Sequence, residues 1–184
     1  LKFLKYFLLL TLSFLYGNSY SNPLDSFIGS LHEQEASVEW VKNNAHDNIS
    51  DTHAHKIVIN AYAQAFSKNL NPHMVLSIIK NESGFRDNVK SHEGALGLMQ
   101  VIPKWHRDKF QGRSPTNSVV SIEVGTTILS DCLDKFNNNH FKSLNCYSGG
   151  GGNKYFSKVK MIQEDLKSFV KNMNTPNLLT VAKL

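Results

Sequence analysis

Cysteine is scarce in this sequence. Only Cys132 and Cys146 occur in 184 residues, and no Cys-x-x-Cys is present. Two cysteines are poor material for a metal site. An exported context would permit a disulfide between them, but their spacing carries no geometry, so a bridge and two free thiols both stay open. Dense runs of lysine or arginine are also missing, so nucleic acid is not an expected partner. No internal repeat is visible, and no alternating apolar and polar stretch exceeds four residues. Solenoids and sheet-dominated folds are thereby set aside. A mainly α class remains, with room for a small β-hairpin.

No apolar run is long enough for a comfortable membrane span, which takes about 20 residues. The longest, Tyr6–Tyr16, lies in the opening "LKFLKYFLLLTLSFLYGNSYSN". Lys2 and Lys5 precede it, and small or polar residues, Ser19 and Ser21 among them, follow. That is the layout of a secretory signal peptide over residues 1–21, with an uncleaved N-terminal anchor as the competing reading. Membrane contact is expected only through this segment, if it stays uncleaved. The net charge is +5, from 20 basic and 15 acidic residues. Cleavage after Ser21 would leave 18 basic residues against 15 acids, a charge of about +3. Such mild basicity suits an anionic polymer such as a cell wall.

Beyond the signal segment three regions are expected. Residues 22–50 are polar, with a short docking helix around Trp40 and Val41. Residues 51–172 form the main domain, and 173–184 a loose or peripherally docked tail. In "SDTHAHKIVINAYAQAFSKNLNP", Ser50, Asp51 and Thr52 are candidate N-caps of a helix carrying Ile57, Ala61 and Ala65 on one face. Asn71 then caps the next helix, with Pro72 at its first position. Residues 94–103 read as a glycine-punctuated turn entering a short helix that stops before Pro103. Further helices are expected over 119–136, 141–148 and 154–172, the last with Phe156, Val159, Ile162, Leu166, Phe169 and Val170 on one face.

One helix face ends unusually. Val75, Ile78, Ile79 and Glu82 share a face, and three of them call for burial. Burial would raise the carboxyl pKa of Glu82, leaving an acid able to protonate a leaving group. The alternative is a frayed last turn with Glu82 in water. The residues that follow favour the first reading. Gly94 and Gly97 allow close backbone approach to a ligand, and Gln100 supplies an amide that both donates and accepts. Ser83 and Ser91 offer hydroxyls, and Leu98 and Met99 an apolar surface.

This stretch resembles the SLT-type lytic transglycosylases, relatives of goose-type lysozyme. The family's Glu-Ser-x-Phe motif stands here as Glu82-Ser83-Gly84-Phe85, with Ser91 nine residues after the glutamate. Gly-Ala-x-Gly-Leu-Met-Gln is matched in full by Gly94–Gln100. Gly-x-x-Tyr-Leu appears as Gly125-Thr126-Thr127-Ile128-Leu129, without its tyrosine. Ala-Tyr-Asn-Ala-Gly appears as Cys146-Tyr147-Ser148-Gly149-Gly150, keeping the tyrosine and the final glycine. The likeness covers about residues 53–156.

The resemblance implies a single lysozyme-like domain, mainly α in an α+β lysozyme-like class, with several helices around a sugar-binding cleft. It implies an exported, periplasmic enzyme acting on peptidoglycan glycan strands without cofactor or metal. Glu82 would be the single catalytic acid/base. It would protonate the bond between N-acetylmuramic acid and N-acetylglucosamine, and then take the C6 hydroxyl proton as a 1,6-anhydro end closes. Ser83, Ser91, Met99, Gln100 and Tyr147 are the expected substrate-binding residues, with the Tyr147 hydroxyl placed to bond the acid. No second carboxylate is needed, so Asp87 and Glu93 are read as solvated. A hydrolytic muramidase and a non-catalytic wall-binding assembly protein are the rival functions. Components of a secretion or conjugation machine are fitting partners for a small wall-opening enzyme. Three other signals are set aside. "DTHAH" puts Asp51, His53 and His55 at alternate positions, which a helix does not bring together. "GGGGNK" lacks the strand and Lys-Ser/Thr spacing of a phosphate loop. Trp105 could stack on a sugar, but packing at a helix end is the preferred reading.

Overall fold

Serine and asparagine side chains start four of the helices. Ser50, Asn71, Asn117 and Asn139 each sit in extended backbone and accept from first-turn N–H groups. Each such cap stabilises its helix by about 1 kcal/mol. The computed structural model describes residues 23–174, so the signal segment and nearly all of the expected tail lie outside the described residues. Within them run α1 (Pro23–Asn44), α2 (Asp51–Ser67), α3 (Pro72–Ser83), α4 (Arg107–Phe110), α5 (Ser118–Lys135), α6 (His140–Tyr147) and α7 (Gly152–Asn174). The chain divides into two compact units between Leu31 and His32, and the second holds all the helices after α1. The fold is mainly α, as expected. Among the described residues there is no strand, only isolated antiparallel bridges from Leu96 to Lys90 and to Val101.

Helix α3 is nearly all core. Met74, Val75, Leu76, Ser77, Ile78 and Ile79 are buried, and α3 packs against both α2 and α7. Asn71 accepts from the Met74 amide at 3.0 Å, and Pro72 takes the first turn, where a missing N–H costs nothing. Gly84 closes α3 in the left-handed region at φ 58°, the usual helix stop for a residue without Cβ. Helices α5, α6 and α7 begin and end within about two residues of the expected bounds, the ordinary uncertainty of helix ends.

Two expectations are corrected. The helix expected around Trp40 and Val41 in the polar segment 22–50 is long rather than short, because α1 runs through 22 residues of it. It holds three Glu, one Gln and one Lys, all good helix formers. Its anchor is tertiary. Trp40 is buried, donates from Nε1 to Asp165 Oδ2 at 2.8 Å, and meets Phe85 edge-on at 5.9 Å. The second correction concerns 94–103, which forms turns and bridges rather than a short helix. Gly94, Gly97 and Gln100 all have positive φ, which breaks any helical run. The next helix, α4, comes after Pro103.

Gly97 shows why this loop needs its glycine. Its φ is 78°, and a Cβ there would lie 2.2 Å from the Pro115 carbonyl oxygen. Gly125 on α5 serves the same loop from the other side. A Cβ there would meet Met99 Sδ at 2.5 Å, so its absence lets Met99 sink into the core.

Cys132 and Cys146 form a disulfide that joins α5 to α6 across 14 positions of sequence. Closing a loop of this size restricts the unfolded chain and stabilises the fold by about 3 kcal/mol. The Cys132→Ser/Cys146→Ser variant should therefore lose about that much in urea unfolding. An unchanged midpoint would show that the bridge carries no stability.

Candidate active site

The apolar face of α3 delivers Glu82 into a cleft of about 680 Å³. Four pieces of chain build its walls around that residue. The turn-rich segment after α3 contributes Ser91, Glu93, Ala95 and Gln100. The stretch leading into α4 contributes Trp105 and His106. Helix α5 contributes Ile128, Asp131 and Cys132, and the α6–α7 junction contributes Tyr147, Ser148 and Tyr155.

Glu82 is mostly buried, and its pKa is raised above the ordinary 4.5. Desolvation is the main cause, since a carboxylate loses more than a carboxylic acid when water is removed. Three weaker influences oppose it. The Tyr155 hydroxyl donates to Glu82 Oε1 at 2.5 Å, the Asn81 amide acts in the same direction, and Lys158 contributes a positive charge. Burial wins, so the protonated form persists to a higher pH than in water. Tyr155 itself is pushed strongly upward, first by its burial and then by the Glu82 charge, so it stays a donor.

The expected substrate contacts divide into two groups. Ser91, Gln100 and Tyr147 line the cleft with Glu82. Ser91 Oγ accepts from the Ala95 amide at 3.1 Å and donates to Glu93 Oε2 at 3.2 Å. Gln100 spends its Nε2 on the Val89 and Gly97 carbonyls, at 3.0 and 2.9 Å. Ser83 and Met99 do not line the cleft. Ser83 is buried and donates to the Ile79 carbonyl, and the Met99 side chain is buried against Gly125. Spacing alone hid this. Ser83 lies beside the acid in sequence, but successive helix residues point about 100° apart.

Tyr147 differs from expectation in its partner. Its hydroxyl donates to the Met99 carbonyl at 2.8 Å, and Tyr155 bonds the acid instead. Met99 is thereby held at both ends, because its amide donates to Ser121 Oγ at 3.1 Å. Tyr155 was legible in principle. It opens the stripe Tyr155, Val159, Ile162 and Leu166 on α7, and it is the one member with a polar tip.

The neighbouring acids each have a partner of their own, and two of them, Glu93 and Asp131, line the cleft. Asp87 pairs with His53 at 3.0 Å, away from this cleft. Glu93 takes the Ser91 hydroxyl, and Asp131 is paired with Lys109 at 2.8 Å. Trp105, read from sequence as packed, is instead 68% exposed.

These features describe a helical domain with a mostly buried carboxyl group facing an open cleft. The family model for the transglycosylase SLT domain matches residues 58–168, more than half of the chain, and the protein belongs to that family. It is also similar to the X-ray structure of an inactive mutant of the lytic transglycosylase Slt from Pseudomonas aeruginosa. Identity there is 21% and the TM-score 0.47, over 62% of this chain and 22% of that one. The chain thus spans about 22% of that relative's length.

Burial of Glu82 sets a pH-dependent stability. Its acid form is favoured in the fold, so its contribution is fully present below the unfolded pKa, about 4.3. It is lost as pH rises through the raised folded value. Glutamine stays neutral and can still accept from Tyr155. Melting temperatures of the wild type and Glu82→Gln should therefore diverge in the variant's favour as pH rises from about 4 toward neutrality. A difference independent of pH would contradict a buried, raised acid.

Proposed function

We propose that this protein is a peptidoglycan lytic transglycosylase with Glu82 as its single acid/base. The observation that carries the reading is the buried carboxyl of Glu82, raised in pKa and presented to a cleft in a member of the SLT family. The protonated acid would give its proton to the glycosidic oxygen between N-acetylmuramic acid and N-acetylglucosamine. The substrate's own N-acetyl group would stabilise the positive anomeric centre, as in substrate-assisted glycosidases. Glu82, now a carboxylate held by Tyr155, would then take the proton of the muramyl C6 hydroxyl. That oxygen closes on C1, leaving a 1,6-anhydro end and consuming no water.

Ser91 and Gln100 shape the cleft wall in this scheme. Ser91 holds the turn through the Ala95 amide, and Gln100 ties the loop through its Nε2, leaving its carbonyl side for the glycan. Tyr147 fixes the Met99 backbone behind the acid. Peptidoglycan places the reaction in the cell envelope, and the signal-like opening of the chain fits export to the periplasm. A mildly basic, compact wall-cutting domain fits local opening of the wall for a secretion or conjugation apparatus.

Glu82→Gln should abolish clearing of purified peptidoglycan while circular dichroism stays native-like. General acid–base catalysis contributes about 10²–10⁴-fold, so residual clearing at the wild-type rate would remove Glu82 from the mechanism. The mass of the soluble product separates closure from hydrolysis: an anhydro end lacks the one water that a muramidase adds.

Tyr155→Phe tests the partner of the acid. It deletes a hydrogen bond to the charged form, so the pKa of Glu82 rises further. The alkaline limb of kcat/KM should move to higher pH, and the maximum should fall about tenfold, the worth of one charged hydrogen bond. A limb that stays in place would show that Tyr155 does not hold the acid.

A further inference from the structure

Trp105 is the largest apolar side chain of the cleft wall, and it is 68% exposed. A single exposed apolar residue is ordinary on a protein surface. This one differs by its placement. It lines the same cleft as Glu82, on a hydrogen-bonded turn of backbone. Its amide donates to the Ile102 carbonyl at 3.1 Å, and the next amide, of His106, to the Pro103 carbonyl at 3.3 Å. Behind the turn, Val101, Phe110 and Val124 form a small hydrophobic cluster of their own, with Val120 and Ile128 packed against it. The backbone that carries Trp105 is thus fixed by its turn, while the indole stays exposed on the wall.

The groups around it are close to neutral. Burial lowers the pKa of His106, so its imidazole is uncharged at neutral pH. Lys109 is paired with Asp131 at 2.8 Å. Lys135, also in the lining, keeps its positive charge over the ring of Phe136, 5.5 Å from its centroid, and Glu93 in the same lining carries the opposite sign. A wall of this kind offers an anion little, and offers a flat apolar face with a polar edge a great deal. A pyranose ring has that character: one face of C–H groups and a rim of hydroxyls.

We infer that Trp105 is a sugar-binding platform, on which one ring of an N-acetylated glycan strand stacks while the bond to be broken lies at Glu82. The inference rests on the glycan-cleaving reading of the cleft. Its contribution is to binding rather than chemistry. The same contact is present before and during bond breaking, so its loss raises KM and leaves kcat largely in place.

The protein reports on this itself. It contains two tryptophans. Trp40 is 1% exposed with its Nε1 bonded to Asp165, so a change in emission on ligand binding comes from Trp105. The experiment uses the full chain carrying Glu82→Gln, titrated with a soluble tetrasaccharide of alternating N-acetylglucosamine and N-acetylmuramic acid. Emission should shift to saturation, and acrylamide quenching should fall. Adding Trp105→Ala should raise the calorimetric Kd about tenfold, as for a central aromatic contact, and Trp105→Tyr should restore most of the affinity. In the cleaving protein, Trp105→Ala should raise KM by a similar factor. Unmoved emission with an unchanged Kd in Trp105→Ala would overturn the platform, even where wild-type protein clears peptidoglycan normally. The converse separates the two readings. A wild type that leaves peptidoglycan intact while Trp105 still answers to the tetrasaccharide would end the catalytic reading and keep this one.

Discussion

The structure turns on a carboxyl group kept out of water at the end of an apolar helix face. Glu82 sits where α3 passes from core to cleft, one residue before the helix ends at Ser83 and two before the left-handed Gly84. Val75, Ile78 and Ile79 on the same face are wholly buried. The position of the acid is thus set by the position of the core. Moving it would mean moving α3 against α2 and α7, at the cost of several buried side chains, each worth about 1.5–3 kcal/mol. A group held this firmly can be desolvated without escaping to solvent, which is the condition for a raised pKa. Tyr155 limits the cost. Its hydroxyl gives the carboxyl a partner, so that burial does not leave the group unsatisfied.

The remaining walls are arranged around a second fixed point. The Gly94–Gln100 segment cannot be a helix, because three of its residues lie at positive φ. It is instead pinned at Met99. The Met99 amide is held by Ser121, its carbonyl by Tyr147, and its side chain fills the space that Gly125 leaves open. The methionine therefore anchors the wall and is no part of its surface. This explains why a motif rich in glycine and apolar residues can border an open cleft. The glycines admit close packing of backbone behind the wall, while Ala95 and Gln100 reach the opening.

How far the sequence disclosed this varied with the kind of interaction. Local signals were readable. The Ser50 and Asn71 caps, the Pro72 start and the buried face leading to Glu82 all depend on residues within one or two turns of each other. The corrected readings share a different origin. Helix α1 is anchored by Trp40 reaching Asp165, 125 positions away, and nothing in its own pattern shows that partner. The choice between Tyr147 and Tyr155 as the acid's partner is settled by distance across the fold, since both are tyrosines close to the same glycines. Trp105 was assigned to packing because a tryptophan at a helix end usually finds a core. Here the cluster of Val101, Phe110 and Val124 closes without it.

The altered motif Cys146–Gly150 can be understood on the same terms. Two of its departures from the family pattern, Cys146 and Ser148, are bonded into the scaffold, as the retained Tyr147 is, and the third, Gly149, has no side chain. Cys146 reaches back to Cys132 and ties α6 to α5 beside the cleft, so both cysteines belong to its lining. A covalent tie there fixes α6, which carries Tyr147, and Tyr147 in turn holds Met99. Ser148 Oγ accepts from the Gly151 amide at 2.9 Å, and Asn145 Oδ1 from the Gly152 amide at 2.8 Å. The glycine run is thus a hydrogen-bonded turn that starts α7 and brings Tyr155 to the acid. The path from α6 to Glu82 thus runs through the retained Tyr147 and also through two of the replaced positions, Cys146 in the disulfide and Ser148 in the turn that starts α7.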